Sequence, residues 1–282
     1  MKIRIRLWVK LVLLFIVVFT LSFLYIRYRG PKGLNTNEFN IINKNIPNSF
    51  YGYKIVHISD IHYKVTTDLN DLNKLVKEVN NIKPDIIVFT GDIFDHNIKY
   101  TEDDYKDLTN IFKSMNYNVG KFAIKGEEDL SNKKWDDIIK NSDFIDLSDS
   151  YKLLYNNSNE PILLTGIKSN YKNNHIKETI EKINKEIDVK YNYSILLVHE
   201  ADFINEIDYS KYNLILAGHN HGGQIKLPFI GGIIYDKNTI YKDSYYTFKN
   251  TELYISSGIG CSKYKFRFLN KPSINLYRLS NS

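Results

Sequence analysis

Short Ile/Val/Leu-rich runs recur along this chain, and most of them stop at a cluster of Asp, Glu, His or Gly. The clusters are Asp60-Ile61-His62, Gly91-Asp92, Gly126-Glu127-Glu128-Asp129, His199-Glu200 and Gly218-His219-Asn220-His221, with Arg267 a weaker sixth. Runs so short and so apolar read as strands buried on both faces, so a sheet must be covered on both sides. Helical stripes lie between the first runs. Leu72, Leu75, Val76 and Val79 mark a helix over 69–82, ahead of Pro84. Tyr105, Leu108, Ile111 and Phe112 mark another over 103–115, and residues 135–139 lie in a third. With strands at 53–59, 85–90 and 121–125, this is a βαβαβα order, the pattern of a mostly parallel sheet with covering helices.

Beyond residue 143 the strands thicken. They are expected at 144–147, 152–156, 162–167, 194–198, 214–217, 253–257 and 274–279, with one helix over 176–187 and a turn at Gly231-Gly232. No internal repeat or low-complexity tract divides the chain. Residues 51–282 therefore read as one α/β domain with two sheets.

The N-terminus is different in kind. Residues 11–26, LVLLFIVVFTLSFLYI, carry no charge, and Leu7, Trp8 and Val9 extend the apolar span past Lys10, which can snorkel toward a headgroup region. A span of about 20 residues matches a bilayer-crossing helix. A cleavable signal would need a shorter apolar core and a small-residue cleavage site, and Tyr25-Ile26-Arg27-Tyr28-Arg29 follows instead. Residues 1–29 are therefore expected to be a short cytoplasmic stub and an uncleaved, single-pass anchor. Residues 30–50, punctuated by Gly, Pro and Asn, read as a linker. A short N-terminus inside places the large domain on the extracytoplasmic side, although basic residues on both flanks weaken the orientation signal.

Charge follows the same division. The net charge of +6 is more than accounted for by Lys2, Arg4, Arg6, Lys10, Arg27, Arg29 and Lys32, all ahead of the first acid, Glu38. The body is close to neutral, which speaks against a nucleic-acid partner. A single cysteine, Cys261, excludes an intrachain disulfide and a thiolate metal site.

The clusters carry the chemistry. Asp60 and His62 stand two residues apart, and on an extended path both side chains point to one side and can hold one cation. Asp92 follows a glycine that allows a sharp turn, leaving its carboxylate free to bridge two ions. His219 and His221 alternate after the run LILA and before two glycines. His199 follows SILLV in the same way. Strand ends converge on one crevice in open α/β sheets. Several imidazoles and carboxylates meeting there suit a pair of divalent cations such as manganese, iron or zinc.

These stretches resemble the calcineurin-like metallophosphoesterases, over roughly residues 53–279, and most closely their membrane-anchored bacterial branch. The segments GHNHGGQIKLPFIGG, HEADF and GIGCSKYKFRFLNKPSINLYRL carry the likeness. The resemblance implies an αββα sandwich, two mixed sheets flanked by helices. It implies one metal held by Asp60, His62 and His221, a second by His199, His219 and Glu127, and Asp92 between them. It also implies hydrolysis of a phosphate ester by a hydroxide bridging the two ions, with Arg267 a candidate to hold a phosphate oxygen.

The third block departs from the family pattern. Where the family has Gly-Asn-His-Asp or Gly-Asn-His-Glu, this chain has Gly126-Glu127-Glu128-Asp129. Glu127 can still ligate through oxygen, but it adds a negative charge and weakens attraction for a phosphate dianion more than for a diester monoanion. Glu128 replaces the histidine that assists charge build-up or protonates the leaving group. It can act as an acid only where neighbouring carboxylates raise its pKa. Together with the anchor, this points to a metal-dependent phosphoesterase acting at a membrane surface, on a lipid-linked phosphodiester or pyrophosphate. The alternative is a metal-binding but weakly active or inactive member of the fold, serving as a binding module. A nuclease shares the chemistry but is disfavoured by the neutral body.

Overall fold

The computed structural model describes residues 6–169, 176–235, 239–262 and 264–282. Lys2, Arg4 and Lys263, which entered the charge and motif readings, lie outside them. The chain begins with α1 (Leu7–Leu24), which continues as a five-residue π turn, Tyr25–Arg29. Strand β1 (Asn35–Ile42) precedes β2 (Lys54–Ile58), α2 (Leu69–Ile82), β3 (Ile86–Phe89) and α3 (Glu102–Lys113). Next come β4 (Gly120–Ala123), α4 (Trp135–Asn141), β5 (Phe144–Asp146), β6 (Ser150–Leu154), β7 (Ile162–Gly166) and α5 (Ile176–Glu186). The remaining strands are β8 (Tyr193–Leu197), β9 (Leu214–Ala217), β10 (Lys226–Leu227), β11 (Gly231–Gly232), β12 (Tyr245–Phe248), β13 (Thr251–Ile255) and β14 (Ser273–Ser280).

Two six-stranded sheets result, ordered β1-β14-β2-β3-β4-β5 and β12-β13-β9-β8-β7-β6. The strands that feed the polar clusters, β2-β3-β4 and β8-β9, run parallel to their neighbours in that order. Their C-terminal ends therefore gather at one edge of each sheet. Each short run alternates its side chains between two layers, as strand geometry requires. Ile87 and Phe89 of β3 enter a core shared with α2, α3 and α4, whereas Ile86 and Val88 enter a core between the sheets. In β9, Leu214 and Leu216 face that central core, while Ile215 and Ala217 face a third one with α5. Three apolar layers separated by two sheets make the αββα sandwich of mixed sheets.

Local signals explain where some elements stop. Helix α2 keeps the bounds expected from sequence because Asp68 and Asp71 form a capping box and Lys83 ends it in a left-handed conformation. Two expectations are corrected. Residues 30–50 are not simply a linker: β1 lies within them and pairs in parallel with β14 from Asn35↔Ser273 to Ile42↔Ser280. Only Ile41 of this edge strand is fully buried, with Phe39 packed against the same core, an apolar alternation too short to betray it in sequence. Gly231-Gly232 is likewise not a free turn but the return strand of a two-residue ladder, paired to Leu227 and Lys226.

Helix α1 buries none of its side chains against the body. With its π turn it forms a 23-residue helix, long and apolar enough to cross a membrane. Its exit is tied to the body: the Arg267 amide donates to the Ile26 carbonyl at 3.2 Å.

Candidate metal centre

Sheet one supplies Asp60 and His62 beyond β2, Asp92 beyond β3 and Glu127 beyond β4. Sheet two supplies His199 beyond β8, and His219 and His221 beyond β9. The structure brings these together in three groups, Asp60-His62-His221, Asp92-His199-His219 and Glu127-Glu200-His219, the last two sharing His219, each with ligand atoms within 4.8 Å of one another. Asp92 Oδ2 sits where the first two groups meet, 3.7 Å from His62 Nε2 and 3.1 Å from His199 Nε2. His221 Nε2 lies 3.7 Å from Asp60 Oδ1.

The local backbone is not the extended path expected for Asp60 and His62. Asp60 (φ 53°), His62 (φ 42°), Asp92 (φ 64°), His219 (φ 67°) and His221 (φ 46°) all lie in the left-handed region. Each such residue costs on the order of 1–3 kcal/mol and persists only where its surroundings hold it. Here interlocking hydrogen bonds hold them. The Asp60 amide donates to the Gly91 carbonyl at 2.9 Å and the Ile61 amide to the Asp92 carbonyl at 2.7 Å. The His219 amide donates to both Asp60 oxygens, at 3.0 and 3.1 Å. The turns after β3 and β4 also touch: a Cβ on Gly91 would lie 2.2 Å from the Gly126 nitrogen, so only glycine fits.

Two residues outside the expected site hold and extend it. Asp129 is fully buried and accepts the amides of Asp92 (2.7 Å), Ile93 (2.9 Å) and Gly126 (3.1 Å), binding the turn after β3 to the turn after β4. Its only sequence signal was its place at the end of Gly-Glu-Glu-Asp. Glu200, beside His199, joins Glu127 and His219 and is bonded by the Ser169 hydroxyl. A carboxylate next to a strand-end histidine was visible in sequence, but its direction was not.

The donor set fits divalent cations. His62 Nδ1 bonds the Phe94 carbonyl at 3.1 Å and His199 Nδ1 the Thr90 carbonyl at 2.7 Å. A carbonyl only accepts, so each ring carries its proton on Nδ1 and turns the Nε2 lone pair toward Asp92. Both Nε2 atoms are buried with no hydrogen-bond partner among the described residues, as is Glu200 Oε2. Buried acceptors facing one another are costly unless positive charge lies between them.

Titration tendencies express the same demand. Burial by itself would raise the Asp92 carboxyl, but His199, His62 and His219 together hold it well below the carboxylate range. Burial opposes a proton on His199, yet Asp92, with Glu200 and Asp60, raises it well above the ordinary imidazole value. Either a proton or a cation answers this pair. Burial lowers His221 to about 3, with the nearby Arg267 guanidinium acting in the same sense, so this imidazole stays neutral, as ligation requires. Burial raises Glu127, with Glu200, Asp92 and Glu128 adding to the effect and His219 opposing it.

The expected roles of Glu128 and Arg267 are revised. Glu128 does not stand alone: its carboxylate accepts the His96 amide at 2.7 Å and lies 2.6 Å from His96 Nδ1, while its own amide donates to Asp92 Oδ1 at 2.9 Å. His96 follows no apolar run, so nothing in the sequence marked it. Arg267 is fully buried rather than offered to a substrate. Its Nη2 donates to the carbonyls of Ser257 (2.6 Å) and Gly260 (2.6 Å), and Nη1 to that of Asn270 (3.2 Å). The guanidinium is thus committed to backbone oxygens, and its reach toward the centre is a 3.5 Å contact with His221 Nδ1.

Comparison with known proteins agrees with this geometry. A family model described as calcineurin-like phosphoesterase matches residues 53–223. The metallophosphoesterase YkuE of Bacillus subtilis is 32% identical over 265 residues, spanning 92% of this chain and 90% of that one. LpxG of Chlamydia trachomatis, a UDP-2,3-diacylglucosamine pyrophosphatase, is 26% identical over 292 residues, spanning 84% of this chain and 87% of that one. A transmembrane protein with a metallophosphoesterase domain from Danio rerio is 22% identical over 245 residues, spanning 81% of this chain and 53% of that one.

Proposed function

This chain belongs to the calcineurin-like phosphoesterase family, and from that membership we propose that it is a membrane-anchored, two-metal hydrolase of a lipid-linked phosphodiester or pyrophosphate. The observation that carries the reading is the convergence of His62 and His199, from different sheets, on one oxygen of Asp92. In this reading Asp60, His62 and His221 hold one cation, and His199, His219 and Glu127 the other, with Asp92 between them. Glu200 adds a further oxygen beside Glu127. Two such cations supply Lewis acidity toward phosphoryl oxygens and a water activated near neutral pH.

The chain's own residues then set the substrate. Glu127 and Glu200 bring extra negative charge to one side of the centre, which disfavours a monoester dianion relative to a diester or pyrophosphate. The relative LpxG acts, by its name, on a pyrophosphate of a diacylated sugar nucleotide, which supports a lipid-linked substrate. The 23-residue apolar helix supports delivery at a membrane; in the proposed orientation the body lies on the extracytoplasmic side.

Metal removal tests the centre. The full chain in detergent, given manganese, is expected to hydrolyse bis(p-nitrophenyl) phosphate and to lose that activity on chelation. Manganese should restore it. Failure to turn over with manganese, iron or zinc would leave the binding-module reading in possession.

Glu128 is proposed to act through His96. The carboxylate raises the imidazole pKa, by hydrogen bond first and charge second, and so keeps it protonated above the ordinary histidine range. A proton held there can pass to a leaving oxygen. His96→Gln should slow an alkyl phosphodiester about 10²-fold more than it slows the p-nitrophenyl diester, whose leaving group needs no proton. Equal slowing of the two would remove His96 from this role.

A further inference from the structure

We propose that the β10–β11 hairpin lies in the bilayer interface beside α1, its tip residues Phe229 and Ile230 seated among lipid headgroups and upper acyl chains. The inference rests on the membrane-anchored reading and names the surface through which the metal centre meets its lipid-linked substrate.

The ring of Phe23, in the last apolar turn of α1, meets the ring of Phe266 edge-on at 5.8 Å. One turn later the Ile26 carbonyl accepts the Arg267 amide. The approach continues at Gly30, where a Cβ would fall 1.7 Å from the Arg267 carbonyl oxygen. The segment 266–267 is therefore level with the end of the apolar helix, whichever way that helix points. If α1 crosses the membrane, this segment stands at its surface.

The same segment forms the base of the hairpin. The Phe268 amide donates to the Gln224 carbonyl at 3.2 Å, and the Lys226 amide to the Phe268 carbonyl at 2.8 Å. Ile225 and Phe268 form a parallel bridge. From that base, β10 and β11 pair through Lys226↔Gly232 and Leu227↔Gly231. The hairpin ends at Phe229, wholly exposed, and Ile230, 71% exposed. Leu269, next to the bridge, is 61% exposed. Apolar residues scattered singly over a surface need no partner, but exposed ones carried on a hairpin that is hydrogen-bonded to the segment at the exit of an apolar helix point to a lipid-facing surface. Arg27 and Arg29 at the helix exit, with exposed Lys265 beside Phe266, place positive charge where anionic headgroups would lie.

The hairpin is also rooted in the site. Only Gln224 and Ile225 separate it from His221-Gly222-Gly223, and the Ile234 amide returns to the Gly223 carbonyl at 3.1 Å. Seating the tip in the interface holds the crevice over the membrane surface, where a lipid-linked phosphoester is presented.

Spin labels at single cysteines of the full chain, reconstituted in phosphatidylcholine/phosphatidylglycerol nanodiscs, test this by collision with oxygen and with a water-soluble nickel chelate. The native Cys261 is buried and will not take the label. A label at Phe229→Cys, or at Ile230→Cys should the first variant not fold, is expected to favour oxygen. A label at Tyr117→Cys, ahead of β4 at the far end of the sheet, is expected to favour nickel. A label at Val18→Cys, midway along α1, reads the anchor separately. Oxygen preference at 18 with nickel preference at 229 and 230 overturns the hairpin proposal alone; nickel preference at 18 overturns the anchor and the proposal with it. Spin–spin broadening at 229 would reveal a second copy as the partner and overturn the lipid assignment.

Discussion

Asp92→Asn is expected to lower phosphodiester turnover on the order of 10³-fold, about 4 kcal/mol of transition-state stabilisation at 1.36 kcal/mol per decade. The two Asp92 oxygens have different neighbours. Oδ1 accepts the Glu128 amide, whereas Oδ2 faces the Nε2 atoms of His62 and His199. Asparagine preserves the size and can keep the first contact. It cannot offer a charged oxygen to two cations, and turning its amide nitrogen inward would place a donor where a ligand is needed. Bound metal should therefore fall from two ions per chain to one or fewer, by elemental analysis of the purified variant. A variant that kept both ions and its turnover would show that Asp92 does not lie between the metals.

Arg267→Met is expected to destabilise the fold by about 3 kcal/mol or more, at about 1–3 kcal/mol for each buried carbonyl left without its donor. The guanidinium is the donor for the carbonyls of Ser257, Gly260 and Asn270, and methionine would leave these buried oxygens unpaired. The damage would reach the site, because the same loop returns the Gly260 amide to the Asp60 carbonyl at 2.7 Å. Lysine should recover only part of the loss, since its donors radiate from one point rather than from a planar fork. The thermal midpoint of the detergent-solubilised chain should drop by roughly 10 °C. An unchanged midpoint with weakened substrate binding would instead return Arg267 to a phosphate-holding role.

The revision of Arg267 shows where a sequence stops informing. A late arginine beside a phosphoesterase motif suits either a substrate or a carbonyl cage, and only the path of residues 257–270 separates the two. Strand β1 gives a second case. Its polar residues are stabilised by a backbone ladder to β14, more than 230 residues later, so no local pattern announced it. The pairing of His96 with Glu128 is a third, joining loops that share no motif. By contrast, α2 was legible to its ends because its stripe and the following proline are both local.

What the amino-acid order determined by itself was the alternation of strand and helix, the apolar N-terminal helix and the residue types at each strand end, since periodicity and local chemistry need no distant partner. What only the tertiary structure decided was how those ends close. Asp60, His62, Asp92, His219 and His221 adopt left-handed backbones. Such strained conformations exist only because amides from neighbouring loops and the buried carboxylate of Asp129 hold them in place, and those contacts arise after the two sheets have packed.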